Sequence, residues 1–171
     1  KKAYMKTSPV LWCTECQTSI AQAELETKEC ETVFYYLNFT TPIGNLLIAT
    51  TRPELLAGCA CIFVHPDDTR YKKFIGQKAI VPLYDFEIPI LADDTVAMDK
   101  GTGVVMCASF GDSADVEWYQ KHKLTSKEVI LADGTISEKI DFIGKMTVKK
   151  ARAYIIELLK KQNLLVKQET I

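Results

Sequence analysis

The sequence predicts a single α/β domain in which short strands form a closed or strongly bent sheet and a few helices sit at the periphery. Three observations carry that expectation. The chain has 171 residues, 47% hydrophobic and 25% charged, the size and mix of one compact domain. Runs of β-branched and aromatic residues dominate its first two thirds, broken by Pro and Gly. Helical signals are confined to three stretches, and no repeat, low-complexity segment or Pro/Gly/Ser-rich linker divides the chain.

In chain order, the first feature is Cys13-Thr14-Glu15-Cys16, a C-x-x-C set among polar residues. Residues 32–39 and 45–51 then read as a hairpin, with Thr41-Pro42-Ile43-Gly44 as its turn. Further short strands are expected at Cys59–Val64, Ala79–Leu83, Phe86–Leu91 and Gly103–Ser109, several with a Pro that marks an edge or a bulge. A first helix is expected after Pro66, over 67–74, and a second from Asp112 or Ser113 to about Lys123. The third is the clearest. Val148, Ala151, Ile155, Leu158 and Leu159 recur at helical spacing behind a Thr147 cap. Its other face is basic, with seven Lys/Arg from 145 to 167 against one acid, Glu157, and reads mainly as a solvated surface, with a phosphate-contacting edge as the alternative.

Charge narrows the function. Twenty-one basic against twenty-two acidic residues give a net charge of -1, which argues against a freestanding nucleic-acid binder and restricts any RNA contact to a local patch. No apolar run approaches the ~18 residues of a membrane span, so a soluble chain is expected. Cys30, Cys59, Cys61 and Cys107 fall in apolar, strand-like segments, which suggests a reducing, cytoplasmic setting. The start at Lys1-Lys2-Ala3-Tyr4 reads as the cut edge of a longer polypeptide.

With two histidines and no nucleophile elbow, phosphate-binding loop or H-E-x-x-H, the common hydrolase templates have nothing to attach to. His65 and His122 read as structural. Hydroxyls, backbone amides and carboxylates would have to position substrate and water. Two segments qualify. Thr50-Thr51-Arg52-Pro53-Glu54 brings hydroxyls and a guanidinium to a strand end, followed by a Pro suited to open a helical turn. Gly101 to Asp115 reads as turn, buried strand and a loop with two carboxylates. Asp112 and Asp115 have the spacing of a helix cap and its third residue, which accounts for both unless one turns outward to a cation.

Together these segments resemble the editing domain inserted into the class I aminoacyl-tRNA synthetases for valine, isoleucine and leucine. Thr50 to Glu54 is similar to the family's T-T-R-P-E/D, Val64 to Tyr71 to its V-H-P-D/E-D-x-R-Y, and Gly101 to Asp115 to its G-T-G…D-x-x-D. Tyr119 to Leu124 is similar to the tail of that last motif, so the resemblance spans nearly the whole chain in the right order. Thr18 to Glu26, after the C-x-x-C, looks most like the valyl branch; isoleucyl enzymes are the alternative.

The resemblance implies a compact β-barrel-like α/β fold and hydrolysis of the ester between a wrong amino acid and the terminal adenosine of tRNA. For a valyl enzyme the substrate is Thr-tRNA(Val), because an apolar synthetic pocket cannot strongly reject an isostere with one extra hydroxyl. An isoleucyl domain would hydrolyse Val-tRNA(Ile), and a module that binds the tRNA 3′ end without turnover is a further alternative. Asp115 matches the family's aspartate for the substrate α-amino group. Thr50, Thr51 and Arg52 match the threonine-rich segment around the ester, the adenosine and the attacking water. Asp112 matches an acidic position near the adenosine and amino-acid side chain, and Gly101, Thr102 and Gly103 match the substrate-binding turn.

The chain departs from many bacterial valyl enzymes at Leu55, Met106 and Ala108, where they carry polar residues, and this pattern looks like the archaeal-type branch. Cys107 and Ser109 are then the candidates for reading the threonine hydroxyl. The resemblance further implies one editing domain over 1–171, cut from a longer synthetase, with 1–16 and 166–171 as connections. Its partners would be the threonylated 3′ end of tRNA(Val) and the rest of the enzyme, with no membrane and a monomeric state. No cofactor is expected for editing. Cys13 and Cys16 would form half of a zinc site in the full-length enzyme, with no metal bound by this segment alone.

Overall fold

A computed structural model describes residues 3, 5, 8–26 and 28–171. Residues 1, 2, 4, 6 and 7 of the connection expected at 1–16 lie outside that set. Near the N-terminus β1 (Trp12–Cys13) and β2 (Thr18–Ser19) pair antiparallel, and Trp12 Nε1 donates to the Ala132 carbonyl at 3.0 Å. The main sheet contains β3 (Val33–Thr41), β4 (Gly44–Thr50), β5 (Cys59–Val64), β6 (Lys78–Ile80), β7 (Glu87–Ala92), β8 (Val104–Ala108) and β9 (Leu165–Thr170). Its order is β4-β3-β6-β7-β5-β8, and β9 pairs with β3 beside β6. The β5–β7 pair is parallel and the other pairs are antiparallel.

The two ends of this path, β4 and β8, come together, so the sheet is a nearly closed barrel. Gly101, in the turn before β8, has a φ of +60°, and a Cβ there would stand 3.1 Å from that of Ala49 on β4. Glycine therefore serves both the backbone conformation and the closure.

Strand alternation fills the interior. Leu37 and Phe39 on β3 and Leu46 and Ile48 on β4 are buried, and the same alternation turns Thr50 inward at the end of β4. Helix α2 (Val148–Lys161) closes one side by burying Ala151, Ile155 and Leu159 in this core. Helix α1 (Ser113–His122) packs elsewhere, where Trp118 and Tyr119 meet Cys61, Phe63 and Cys107 of β5 and β8 in a second, smaller cluster.

The hairpin, most of the later strands and both long helices stand where the sequence placed them; three expectations are corrected. The helix expected over 67–74 shrinks to a 3-10 turn at Lys72–Phe74. Buried Asp68 accepts from the Arg70 amide and guanidinium, an arrangement that competes with a helical turn. The strand expected at Ala79–Leu83 stops at Ile80, because Leu83 and Asp85 adopt positive φ in the turn to β7. Cys30 lies exposed and precedes β3 instead of sitting inside a strand. Residues 166–171, read as a connection, include most of β9; its Lys167-Gln168-Glu169-Thr170 run is exposed, so no apolar alternation announces it. Thr147 does precede α2 with extended dihedrals, although its side chain makes no capping hydrogen bond. Among the described residues, no helix is long and apolar enough to cross a membrane.

Candidate functional site

A cleft of about 620 Å³ opens where the end of β4, the edge of β8 and the N-terminus of α1 meet. Its lining includes Thr50, Thr51, Arg52, Gly101, Asp112 and Asp115, which join the two sequence segments singled out above. Thr102 and Gly103 are not part of this lining. Gly103, at φ +80°, instead faces the Asp68–Arg70 ion pair, where a Cβ would approach the guanidinium to 2.7 Å. The G-T-G run thus divides, with Gly101 at the cleft and Gly103 at a structural contact behind it.

The threonine-rich segment is built by two devices. Thr50 is 9% exposed, and its hydroxyl accepts from the Arg52 amide at 3.1 Å, turning the chain out of the strand. Pro53 then opens a buried 3-10 turn at Pro53–Gly58. Thr51, half-buried in the wall, has a hydroxyl that no described residue engages. The Arg52 Nη1 donates to the Gly111 carbonyl at 2.6 Å and its Nε to Glu54 at 3.3 Å, clamping this segment to the loop that leads into α1.

Glu54 is wholly buried, and Arg152 of α2 meets it with two hydrogen bonds of 2.7 and 2.8 Å. A charge read as part of a solvated basic face is therefore turned inward. A buried carboxylate with two guanidiniums holds the site's backbone against α2. Helical periodicity places Arg152 on the polar face; nothing in the sequence signals that its partner is about a hundred positions away.

Asp112 and Asp115 form a reciprocal cap at the start of α1. The Asp115 amide donates to Asp112 Oδ1 at 3.0 Å, and the Asp112 amide donates to Asp115 Oδ2 at 3.1 Å. The Ala108 amide also donates to Asp115 Oδ1 at 3.3 Å. Capping thus explains the spacing, yet Asp115 still lines the cleft at 7% exposure. Burial pushes its carboxyl up to about 6; the Cys107 thiol opposes this and the neighbouring Asp112 adds to it. A carboxylate in this position gains from an ammonium group more than an exposed one would.

Neither candidate for hydroxyl recognition is among the residues that line this cleft. Cys107 is fully buried, and a hydrogen bond with its cross-strand neighbour Cys61, together with burial, raises its thiol far above the ordinary range. The Ser109 hydroxyl lies between the carbonyls of Gly58 and Lys127. Met106 and Ala108 line the cleft as apolar wall.

The structure adds members that the motifs did not supply. Lys100, Thr95, Glu117 and Trp118 also line the cleft. Trp118 Nε1 donates to Thr95 Oγ1 at 2.9 Å, and that hydroxyl donates to buried Asp93 at 2.6 Å. Burial alone would raise the Asp93 carboxyl, but hydrogen bonds from His122, Thr95 and Lys121 hold it well below the usual range. This network ties the loop after β7 to α1 and gives His122 the structural part expected of it.

Apart from the cleft, the Cys16 amide donates to Cys13 Sγ at 3.3 Å, and hydrogen bonds from the backbone of Cys16 and Glu15 lower the Cys13 thiol. Both thiols lie in the tip of the β1–β2 hairpin, a geometry that fits two ligands of a tetrahedral zinc. No group of three or more metal-binding side chains occurs among the described residues.

Residues 67–155 match the family model described as leucyl-tRNA synthetase, editing domain. A valine–tRNA ligase of Rickettsia typhi is 49% identical over 173 aligned residues, covering 99% of this chain and 21% of that protein. One from Methanocaldococcus jannaschii is 48% identical, covering 95% and 19%. The chain therefore spans about a fifth of the length of the curated relatives it matches. In fold it resembles the leucyl-tRNA synthetase of a ternary complex with tRNA and LeuAMS from Agrobacterium radiobacter. That match has a TM-score of 0.66 at 19% identity, over 82% of this chain and 20% of that one.

Proposed function

Because the chain belongs to the family of class I aminoacyl-tRNA synthetase editing domains, with curated relatives among the valyl enzymes, we propose that it hydrolyses the ester of Thr-tRNA(Val). The observation that carries this reading is the convergence of Thr50, Thr51 and Arg52 with Asp112 and Asp115 on one cleft. Asp115 receives the substrate's α-ammonium, which compensates a carboxylate that burial disfavours. The Thr51 hydroxyl faces the ester and the attacking water. Thr50 and Arg52 shape the turn that holds it, and Asp112 and Gly101 form the wall toward the terminal adenosine. Catalysis rests on placement, since no histidine lines the cleft. The partners are the tRNA(Val) 3′ end and the remaining domains of a longer synthetase, and the unit works as a monomer. Editing needs no cofactor in this reading; in the intact enzyme Cys13 and Cys16 would supply two zinc ligands.

A second reading, a module that binds the tRNA 3′ end without turnover, draws on the apolar wall at Met106 and Ala108. Deacylation separates the two. The chain is expected to release threonine from Thr-tRNA(Val) while sparing Val-tRNA(Val), and Asp115→Ala to lose at least a hundredfold in rate. Binding without release favours the second reading, and full activity in Asp115→Ala removes that residue from its role.

A further inference from the structure

A second cleft, of about 410 Å³, adjoins the first and shares Arg52 and Leu55 with it. Its volume suits one nucleotide or a similar small group. On its wall stands Phe110, 41% exposed, in a backbone conformation that a phenylalanine rarely adopts. Ser109 and Phe110 have φ of 23° and 55°, the region that favours glycine. A glycine at 110 would make this bend without strain, so the turn itself does not call for an aromatic ring.

The surroundings hold the ring in place. The Ser109 amide donates to the Tyr119 hydroxyl at 3.0 Å, and the Ser109 hydroxyl is fixed between two carbonyls. Buried Tyr119 backs the Phe110 ring at 4.8 Å between centroids, leaving part of the ring exposed. Arg52, between the clefts, spends Nε and Nη1 on Glu54 and Gly111, while its Nη2 has no partner among the described residues. Lys127 adds a second cation to the wall.

An aromatic ring and a guanidinium with one nitrogen still open are what a single-stranded nucleotide uses: the base stacks, and the phosphate pairs. We propose that this second cleft seats the nucleotide preceding the terminal adenosine, with its base on Phe110 and the connecting phosphodiester on Arg52. The inference rests on the first cleft taking that adenosine.

The test is binding of two unreactive ligands, adenosine and the dinucleotide cytidylyl-(3′→5′)-adenosine, by calorimetry on the chain and on Phe110→Ala and Phe110→Trp. Wild type is expected to prefer the dinucleotide by about fivefold or more, the yield of one base stack. Phe110→Ala should lose that preference with its adenosine affinity unchanged, and Phe110→Trp should keep it. Adenosine binding with no dinucleotide preference overturns this inference alone, as does a preference that survives in Phe110→Ala. Failure of wild type to bind either ligand overturns it together with the assignment of the first cleft. Hydrolysis is not read, so an inactive chain still gives an answer.

Discussion

At Asp115 two physical demands meet. It caps α1, which requires acceptor oxygens, and it lies nearly out of water, which disfavours their charge and brings the carboxyl to about 6. If the charged form receives the substrate's ammonium, kcat/KM for deacylation falls about tenfold per pH unit below 6 through a single ionisation. A profile that stays flat down to pH 5 would count against this. The effect on stability has the opposite sign. Folding favours the protonated acid, so this contribution is fully present below about 4 and is lost as the pH rises through about 6. Activity and this part of the stability therefore diverge between the two values. Asp115 was legible in the sequence from its spacing to Asp112 and from the family motif. Its burial was not, because that depends on Ala108, Cys107 and α1 closing around it.

At the level of elements, α2 does more than cover the barrel. Through Arg152 it neutralises Glu54, which lies at the base of the threonine-rich turn, while Arg52 holds the loop before α1. Arg152→Ala leaves Glu54 buried with only the 3.3 Å contact to Arg52. A loss of about 3 kcal/mol in urea unfolding is expected, with Arg152→Lys intermediate because an ammonium cannot make the paired contact. A change well under 1 kcal/mol would mean that water replaces the guanidinium. The elements differ in how plainly they are written. The hairpin and both long helices follow from period and punctuation, whereas the expected helix at 67–74 gave way to the Asp68 side chain. The strand β9 has almost no local signal, and its partner β3 supplies the reason for it to be extended.

For the whole molecule, near-neutral charge fits the proposed contact with only the end of an RNA. The stretch from 145 to 167 looks strongly basic, yet Arg152 is used internally and Lys167 pairs with Glu169. Binding to a single-stranded 3′ end should therefore depend weakly on salt. With one or two phosphates neutralised, log K against log salt should slope no more steeply than about −1.5, measured by titration from low to physiological ionic strength. A slope several times steeper would reveal a phosphate-binding face. The sequence by itself determined the class of fold, most element positions and the two motif segments, because periodicity, caps and turn residues act over a few positions. Only the tertiary structure decided that Thr50 and Asp115 share one cleft, that Cys107 and Ser109 lie outside its lining and that Arg152 is tied to Glu54. The physical reason is that closure of the barrel joins β4 to β8, and burial, pairing and pKa are set by neighbours that are distant in sequence.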